Sequence, residues 1–368
     1  MKINFVDIYK QHQALKTQID GAIFRVIKNS TFIGGEEVEM FEREFANYCG
    51  VKNCVVVNSG TDALRIICYV LGIGPGDEVI IPVNTFIATA LAVSSVGARP
   101  VFVDCRESDY TIDPTEIEKK ITLRTKAIIP IHLFGQPANM FSVCDIARKK
   151  GLLIIEDACQ AHGAKFKGTR VGGFGHAAAF SFYPSKNLGA YGDGGAIVTN
   201  DTHLANKLRL YREYGQGKKN IFTTQGVNSR LDGIQAAILR VKLPHLDEWN
   251  RQRLEIARWY RQLLMDFDII LPTIPEDRDH VFHLFVIRTN HRDRLKLFLE
   301  KRGVSCGIHY PIPIHQQPVY QHFGHTIGDF KVAEKVAEQM LSLPMFPELT
   351  REAVDYIAIQ IKDFFSKL

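Results

Sequence analysis

The chain has 368 residues, a length that suggests two domains, or one large domain with a smaller appendage. Apolar residues make up 46% and charged residues 23%, which is typical of a globular protein, and no apolar stretch is long enough to cross a membrane. The net charge of +5 comes without basic clusters or interleaved aromatic residues, so nucleic acid is not an expected partner, whereas a phosphorylated small molecule is compatible. The first residues, MKINFVDIYKQHQ, lack an apolar signal core, and we expect a cytoplasmic location.

Cysteine and histidine spacing gives no sign of a metal site. The seven cysteines are scattered without a C-x-x-C pair, and we expect them to be reduced. Two H-x-x-H pairs occur, at 280/283 and 322/325, but neither has a second ligand pair at metal spacing. We therefore expect no metal.

Strand-like and helix-like segments alternate from residue 54 to about residue 200. Short β-branched runs separated by helices of ten to fifteen residues are typical of an α/β fold with a mainly parallel sheet. The runs are almost continuously apolar, as expected when helices cover both faces of the sheet. The predicted strands are CVVV (54–57), DEVIIP (77–82), RPVFVD (99–104), KAIIPIHLF (126–134), GLLIIEDA (151–158), AAAFSFY (177–183) and GGAIVTN (194–200).

The pattern changes after residue 228. A long helical stretch, 232–264, contains Pro244, which predicts a break or kink. HVFHLFVIR, RDRLKLFLEKRG, VSCGIHYPI and the closing helix EAVDYIAIQIKDFF then predict a smaller α+β domain. We predict a large domain over 1–228, with residues 1–30 free to pack elsewhere, and a small domain over 229–368.

The stretch NSGTDAL, 58–64, comes directly after a predicted strand and opens a predicted helix. A helix N-terminus with a nearby hydroxyl binds anions, and Gly60 and Thr61 suit that role. Taken alone, however, the stretch favours an ordinary strand-to-helix turn with Ser59 or Thr61 as the cap. GIGPGDEV (72–79) has a dinucleotide-like spacing but follows a helix and precedes a strand, which argues against a nicotinamide dehydrogenase.

Two further candidates lie at predicted strand ends. Asp157 closes an apolar strand, and Lys186 follows another within FSFYPSKNLGAYGDGGA. Each has a plain alternative, a helix-capping carboxylate and a lysine that reaches solvent from a loop. Ligand sites of open α/β sheets lie beyond the carboxyl ends of the strands, so both side chains are expected in one crevice near 59–62. An anion cradle, a carboxylate and an isolated lysine together suggest pyridoxal phosphate, with Phe86 stacked on its ring.

Five segments carry a family resemblance. NSGTDAL, PVNTFIATA, EDACQAHGA, FSFYPSKNLGAYGDGGA and GVNSRLDGIQAAIL, in this order, resemble the DegT/StrS-type sugar-nucleotide aminotransferases, which are fold-type I pyridoxal phosphate enzymes shaped like aspartate aminotransferase. The resemblance implies pyridoxal 5'-phosphate as cofactor, with pyridoxamine phosphate as its aminated form. It also implies a nucleoside-diphosphate keto-sugar as substrate, L-glutamate as amino donor, and a homodimer with shared active sites.

The same resemblance assigns roles to individual residues. Lys186 is implied to bind the cofactor and to move protons, and lysine rather than histidine at this position favours transamination over deoxygenation. Asp157 is implied to face the pyridine nitrogen. The other implied cofactor contacts are Gly60, Thr61, Asp62 and Ser181 at the phosphate, Phe86 and Gln160 at the ring, and Asn228 from the neighbouring subunit. The implied substrate contacts are Tyr183, His309, Tyr310 and His315.

Some alternatives stay open. The segment IHYPIPIHQQP, 308–318, is also compatible with a proline-rich loop that merely crosses the surface. GVNSRLD together with REYGQGKKN resembles members that act on 3-keto sugars more than those that act on 4-keto sugars. A regulatory or sensory protein that keeps the cofactor is the alternative from another class.

Overall fold

The computed structural model describes residues 1–368, in which the chain forms twelve α-helices and fourteen strands. The helices are α1 (Ile8–Asn29), α2 (Glu36–Cys49), α3 (Gly60–Val70), α4 (Ala88–Ser95), α5 (Pro114–Lys120), α6 (Met140–Lys150), α7 (Thr202–Arg212), α8 (Gly233–Lys242), α9 (Leu246–Leu264), α10 (Arg292–Glu300), α11 (Lys331–Gln339) and α12 (Arg351–Phe365). Short 3-10 turns lie at 133–135, 243–245, 314–316 and 318–323. No helix is long and apolar enough to span a membrane.

The strands divide into one large sheet and three small ones. They are β1 (Asn53–Val57), β2 (Glu78–Pro82), β3 (Arg99–Val103), β4 (Thr125–Ile128), β5 (Leu153–Asp157), β6 (Lys165–Phe166), β7 (Thr169–Arg170), β8 (Ala177–Ser181), β9 (Gly195–Thr199), β10 (Gln216–Lys218), β11 (Ile221–Phe222), β12 (Arg278–Asp279), β13 (Phe285–Arg288) and β14 (Met340–Leu343). The large sheet has seven strands in the order β1-β9-β8-β5-β4-β2-β3.

This sheet is mainly parallel, as the sequence predicts. Only β9 runs against its neighbours β1 and β8, and the four remaining pairings are parallel. Successive side chains of β1 point to opposite faces, where Val55 and Val57 join one apolar cluster and Cys54 and Val56 join another. Burial of both faces explains why the strands read as nearly unbroken apolar runs.

The observed elements differ from the predicted ones at 126–134 and in VSCGIHYPI, whereas the break predicted at Pro244 is present. The run 126–134 forms a strand only to Ile128, because Pro130 follows and cannot donate to a ladder. The helical stretch is interrupted at Pro244, where a 3-10 turn separates α8 from α9. VSCGIHYPI forms no regular strand and makes only single bridges, Ile3 to Val304 and Gly307 to Ser342. The helices α1 and α2 precede the region for which the sequence predicts elements.

The C-terminal part surrounds the short β13–β14 sheet. Helices α9, α10 and α12 pack together around it, and Ile3 from the N-terminus joins the same apolar cluster. Helix α8, by contrast, packs against α1 and α2. The division at residue 228 remains a proposal, since α8 lies on the large-sheet side and α9 on the other.

Candidate active site

A cavity of about 770 Å³ lies beyond the carboxyl ends of the parallel strands. Residues that follow β1, β2, β5 and β8 line it, and residues beside β13 and β14 close it from the other side. The predicted site residues that line it are Gly60, Thr61, Phe86, Asp157, Gln160, Ser181, Tyr183, Lys186, His309 and Tyr310. The structure thus brings ten of the thirteen predicted site residues into one crevice, among them Asp157 and Lys186, which the strand-end argument places together.

Lys186 lies on the loop between β8 and β9, and its amine reaches into the cavity. Burial lowers the pKa of Lys186, while the nearby Cys159 and Asp157 oppose this shift. A lysine with a depressed pKa has a larger fraction of neutral, nucleophilic amine at a given pH. The environment of Lys186 is thus suited to covalent chemistry at a carbonyl carbon.

Asp157 ends β5 and is almost fully buried. Its Oδ2 accepts a hydrogen bond from Thr89 Oγ1 at 2.8 Å, and its Oδ1 accepts one from the backbone N–H of Cys159 at 3.2 Å. These two donors fix the orientation of the carboxylate at the cavity wall. Such a carboxylate stabilises a protonated ring nitrogen opposite it.

The neighbouring Glu156 has a different task. Because side chains alternate along a strand, it points away from Asp157 and out of the cavity. Its carboxylate accepts backbone N–H groups of Gly172, Phe174 and Gly175, each at 2.8 Å. Glu156 therefore anchors the 172–175 turn.

The N-terminus of α3 forms a further part of the cavity wall. Ser59 is the helix cap, with its Oγ accepting from the Asp62 N–H at 3.1 Å. The N–H groups of Gly60 and Thr61 come before the first intrahelical donor and remain available. A Cβ at position 60 would lie 2.7 Å from the Ser181 Cβ, so only glycine allows this close approach. The capped turn therefore also leaves two N–H groups at the cavity that could donate to an anion.

Gln160 and Tyr310 connect the two sides of the cavity. The Gln160 Oε1 accepts the Phe134 N–H at 2.7 Å, and its Nε2 donates to the Tyr310 hydroxyl at 3.1 Å. The Tyr310 ring lies 5.4 Å from that of Phe86. His309 beside it bonds Ser342 Oγ through Nδ1 at 2.9 Å, and burial lowers the pKa of His309 to about 4.

These groups fit pyridoxal phosphate. The free N–H groups of α3 suit a phosphate, Asp157 suits the pyridine nitrogen, and Lys186 suits the aldehyde. Phe86 is half exposed in the cavity, where an aromatic face can pack on the cofactor ring.

Three predicted site residues lie outside the cavity. The Asp62 carboxylate turns to Arg65, 2.7 Å away. His315 is buried and its Nε2 lies 3.0 Å from Glu334 Oε1, because its 3-10 turn directs the ring toward α11. Asn228 follows the β10–β11 hairpin and is exposed. Its backbone forms a single antiparallel bridge with Glu213.

Thr89 and His283 are two cavity residues with polar contacts that the sequence does not predict. Thr89 stands in the PVNTFIATA segment without any spacing that links it to Asp157, 68 positions away. His283 is visible only as half of an H-x-x-H pair, which suggests metal binding rather than contact with Lys186. His283 and Lys186 meet only through the tertiary fold.

Residues 13–362 match the DegT/DnrJ/EryC1/StrS aminotransferase family. The chain belongs to this family. Its match covers nearly the whole chain, including every residue that lines the cavity except those of the segment 4–6. The predicted family and the predicted fold are both confirmed.

Members of the DegT/DnrJ/EryC1/StrS family with similar sequences have several names. A dTDP-3-amino-3,4,6-trideoxy-alpha-D-glucose transaminase of Streptomyces venezuelae is 48% identical, over 95% of this chain and 93% of that protein. The erythromycin biosynthesis sensory transduction protein EryC1 of Saccharopolyspora erythraea is also 48% identical, over 98% and 99%. The crystal structure of S. venezuelae DesV in complex with a ketimine intermediate superposes with a TM-score of 0.98 at 46% identity, covering 100% of this chain and 99% of that one.

Proposed function

We propose that this protein is a pyridoxal-phosphate-dependent aminotransferase that converts a nucleotide-linked keto-sugar to the amino sugar. The observation that carries the proposal is the convergence of Lys186, Asp157 and the free N–H groups at 60–61 on one cavity of about 770 Å³. The family membership of the chain supports the same reaction. L-glutamate is the proposed amino donor.

Each residue has a defined task in this proposal. When bound, pyridoxal phosphate supplies the electron sink that lets a proton leave the donor α-carbon. Lys186 holds the cofactor at rest and, once free, carries that proton as general base and then as general acid. Asp157 keeps the ring nitrogen charged, and Thr89 and the Cys159 N–H keep Asp157 in place. Gln160 and Tyr310, which are hydrogen-bonded to each other, orient the cofactor ring and close the cavity.

We propose amination at C3 of the sugar. Similar proteins of 41 to 48% identity have names that place the reaction at this carbon, among them a UDP-N-acetyl-3-dehydro-alpha-D-glucosamine 3-aminotransferase of Acidithiobacillus ferrooxidans. A GDP-perosamine synthase of Caulobacter vibrioides, whose name does not place the reaction at C3, is less similar, at 38% identity. The names of these relatives contain both dTDP-linked deoxyhexoses and UDP-linked N-acetyl sugars.

A second candidate function is regulation. EryC1 is named a sensory transduction protein, and a pleiotropic regulatory protein of Geobacillus stearothermophilus is 45% identical over 99% of this chain. A regulator of this family would bind the cofactor without turning over a donor. The cavity residues are compatible with cofactor binding in both functions, which differ only in whether an amino donor is turned over.

An absorption spectrum separates the two functions. Purified full-length protein is supplied with pyridoxal phosphate, and the visible spectrum is recorded before and after L-glutamate is added. A visible band that glutamate converts to the aminated-cofactor spectrum supports the aminotransferase. A stable band in the presence of glutamate and other amino donors supports the regulator, and no band refutes both.

We also propose that Asn228 acts in the neighbouring subunit of a homodimer. It is exposed and absent from the cavity of its own chain, as a residue that serves a second copy would be. The exposed β10–β11 hairpin that precedes it carries Ile221 and Phe222, which are more than half exposed. Apolar side chains on such a hairpin favour burial against another chain.

A further inference from the structure

The Lys186 amine has a neighbour that the proposed function does not use. His283 Nε2 lies 3.5 Å from Lys186 Nζ, although the residues are 97 positions apart in sequence. His283 is 7% exposed and lines the cavity just before β13. The distance of 3.5 Å is at the outer limit of a hydrogen bond. The contact attracts the amine only if Nε2 carries no proton and can act as an acceptor.

A chain of amide hydrogen bonds fixes the orientation of Asn187. Its Nδ2 donates to the Val281 carbonyl and to Asn250 Oδ1, both at 2.9 Å. Asn250 Oδ1 must be the acceptor, because Asn250 Nδ2 donates to the His162 carbonyl at 2.8 Å. A backbone carbonyl can only accept, so neither amide can be flipped. The Oδ1 of Asn187 is therefore left as an acceptor.

The orientation of Asn187 determines the tautomer of His283. His283 Nδ1 lies 3.3 Å from Asn187 Oδ1, and this contact is a hydrogen bond only if Nδ1 carries the proton. A neutral imidazole with its proton on Nδ1 has its lone pair on Nε2. That lone pair faces Lys186 Nζ, so the ring offers an acceptor to the amine.

The surroundings keep His283 neutral. Burial lowers the pKa of His283 well below its ordinary value, and nearby positive charge lowers it further. The titratable groups that face it are Lys186, Arg253, His309 and His162. On the lysine side, the facing acidic groups are Asp157 and Cys159. A neutral ring with a single lone pair can hold the lysine but cannot give it a proton.

We propose that His283 is a positioning residue for Lys186, whose amine donates to Nε2 and is held at the cavity wall when it is not bonded to the cofactor. This inference rests on the proposed function and adds the residue that orients the base. The amine donates to Nε2 both as ammonium and as neutral amine, so it keeps one location through the proton transfers. A fixed base matters because small displacements of a catalytic group slow proton transfer steeply.

The nearby His280 provides a matched comparison. It is equally buried, at 8% exposed, but its Nδ1 accepts the Phe282 N–H at 2.9 Å, which places its proton on Nε2. Its ring stacks on Phe282 at a centroid distance of 3.9 Å. The two histidines of the H-x-x-H pair thus have opposite tautomers, and only His283 contacts Lys186.

The test measures the titration of Lys186 itself. Full-length H283L, H283Q, H280Q and wild-type proteins, freed of cofactor, are mixed with pyridoxal phosphate between pH 6 and 10. Covalent capture is trapped by borohydride and located at Lys186 by mass spectrometry. In H283L the ammonium loses its acceptor, so the pH midpoint of capture moves down by about one unit. H283Q keeps an acceptor oxygen and should stay near the wild-type midpoint, as should H280Q.

Turnover gives a second readout. H283L should lower kcat about tenfold, with KM for the keto-sugar unchanged, because the residue acts on the base and not on sugar binding. Unchanged capture midpoint and unchanged kcat in H283L would overturn the proposal. If H283L does not fold, nitrogen-15 spectra of wild-type histidines decide: a proton on Nδ1 of His283 supports it, and one on Nε2 overturns it. Failure of the wild type to capture pyridoxal phosphate refutes the proposed function instead.

Discussion

Thr89 and Asp157 form a buried side-chain hydrogen bond of 2.8 Å between helix α4 and the end of strand β5. Thr89 is only 1% exposed, and its hydroxyl donates to a carboxylate oxygen. Hydrogen bonds to a charged group contribute about 1.5–3 kcal/mol. This contact therefore has enough energy to determine how the carboxylate faces the cavity.

Replacing Thr89 by valine should impair catalysis more than folding. T89V keeps the shape of the side chain but removes the donor, so the carboxylate has one fewer restraint opposite the ring nitrogen. We expect kcat/KM to fall about tenfold and the cofactor to dissociate faster. Steady-state kinetics and the loss of visible absorbance on dilution measure both.

Thr111 provides the control for that variant. Its Oγ1 donates to Asp109 Oδ1, also at 2.8 Å and also buried, in a pair that Arg278 completes away from the cavity. T111V should lower the urea midpoint of unfolding but leave kcat/KM within twofold of wild type. Equal kinetic losses in T89V and T111V would mean that the Thr89 contact is only structural.

Lys186 is expected to be indispensable for turnover but not for binding. K186A removes the amine while the N–H groups of α3 and Asp157 remain to hold the cofactor. We expect kcat to fall at least about 10²-fold, because one positioned acid–base group usually contributes about 10²–10⁴-fold. Retained binding is checked by equilibrium dialysis with pyridoxal phosphate. Normal turnover in K186A would remove Lys186 from the mechanism.

The sequence predicted the site where local rules apply and failed where distant segments meet. Residues after parallel strands must share one edge of the sheet, so Gly60, Asp157 and Lys186 could be grouped from the sequence alone. The alternation of side chains along β5 separates Asp157 from Glu156. His283 reaches Lys186 from beyond residue 280, and no periodicity in the sequence relates those two segments.

The substrate-side prediction had a weaker basis. His309 and His315 stand in one proline-rich segment, and the family resemblance implies both as contacts. In the structure His309 lines the cavity, whereas His315 binds Glu334 behind it. Irregular backbone, including the 3-10 turn at 314–316, separates them, and its direction is set by packing rather than by a repeating pattern.

Acid sensitivity is expected from His162. Its ring is fully buried against Phe180 and Phe182, and neither side-chain nitrogen has a hydrogen-bond partner. Burial lowers the pKa of His162 to about 3. Between pH 6.5 and 3 the unfolded chain binds a proton that the folded chain excludes. Stability is therefore lost as the pH falls through this window, by about 2 kcal/mol at pH 5.

H162F should remove that loss. The phenyl ring keeps the aromatic packing without buried unpaired nitrogens. We expect the urea midpoint of H162F to exceed that of wild type at pH 5 by more than it does at pH 7.5. H203F, at an exposed histidine, is the control and should leave the pH difference unchanged. The same pH difference in H162F and wild type would refute the assignment.

Mixing two inactive variants tests whether active sites are shared between subunits. If Asn228 serves the partner's site, a dimer of one K186A chain and one N228A chain contains one site with both residues intact and one with neither. Random reassociation makes about half of the dimers mixed, so about a quarter of the wild-type activity should return. The variants are mixed, exchanged under mild urea, and assayed against each variant treated alone. An N228A protein with little activity that K186A cannot rescue would show that Asn228 acts within its own chain.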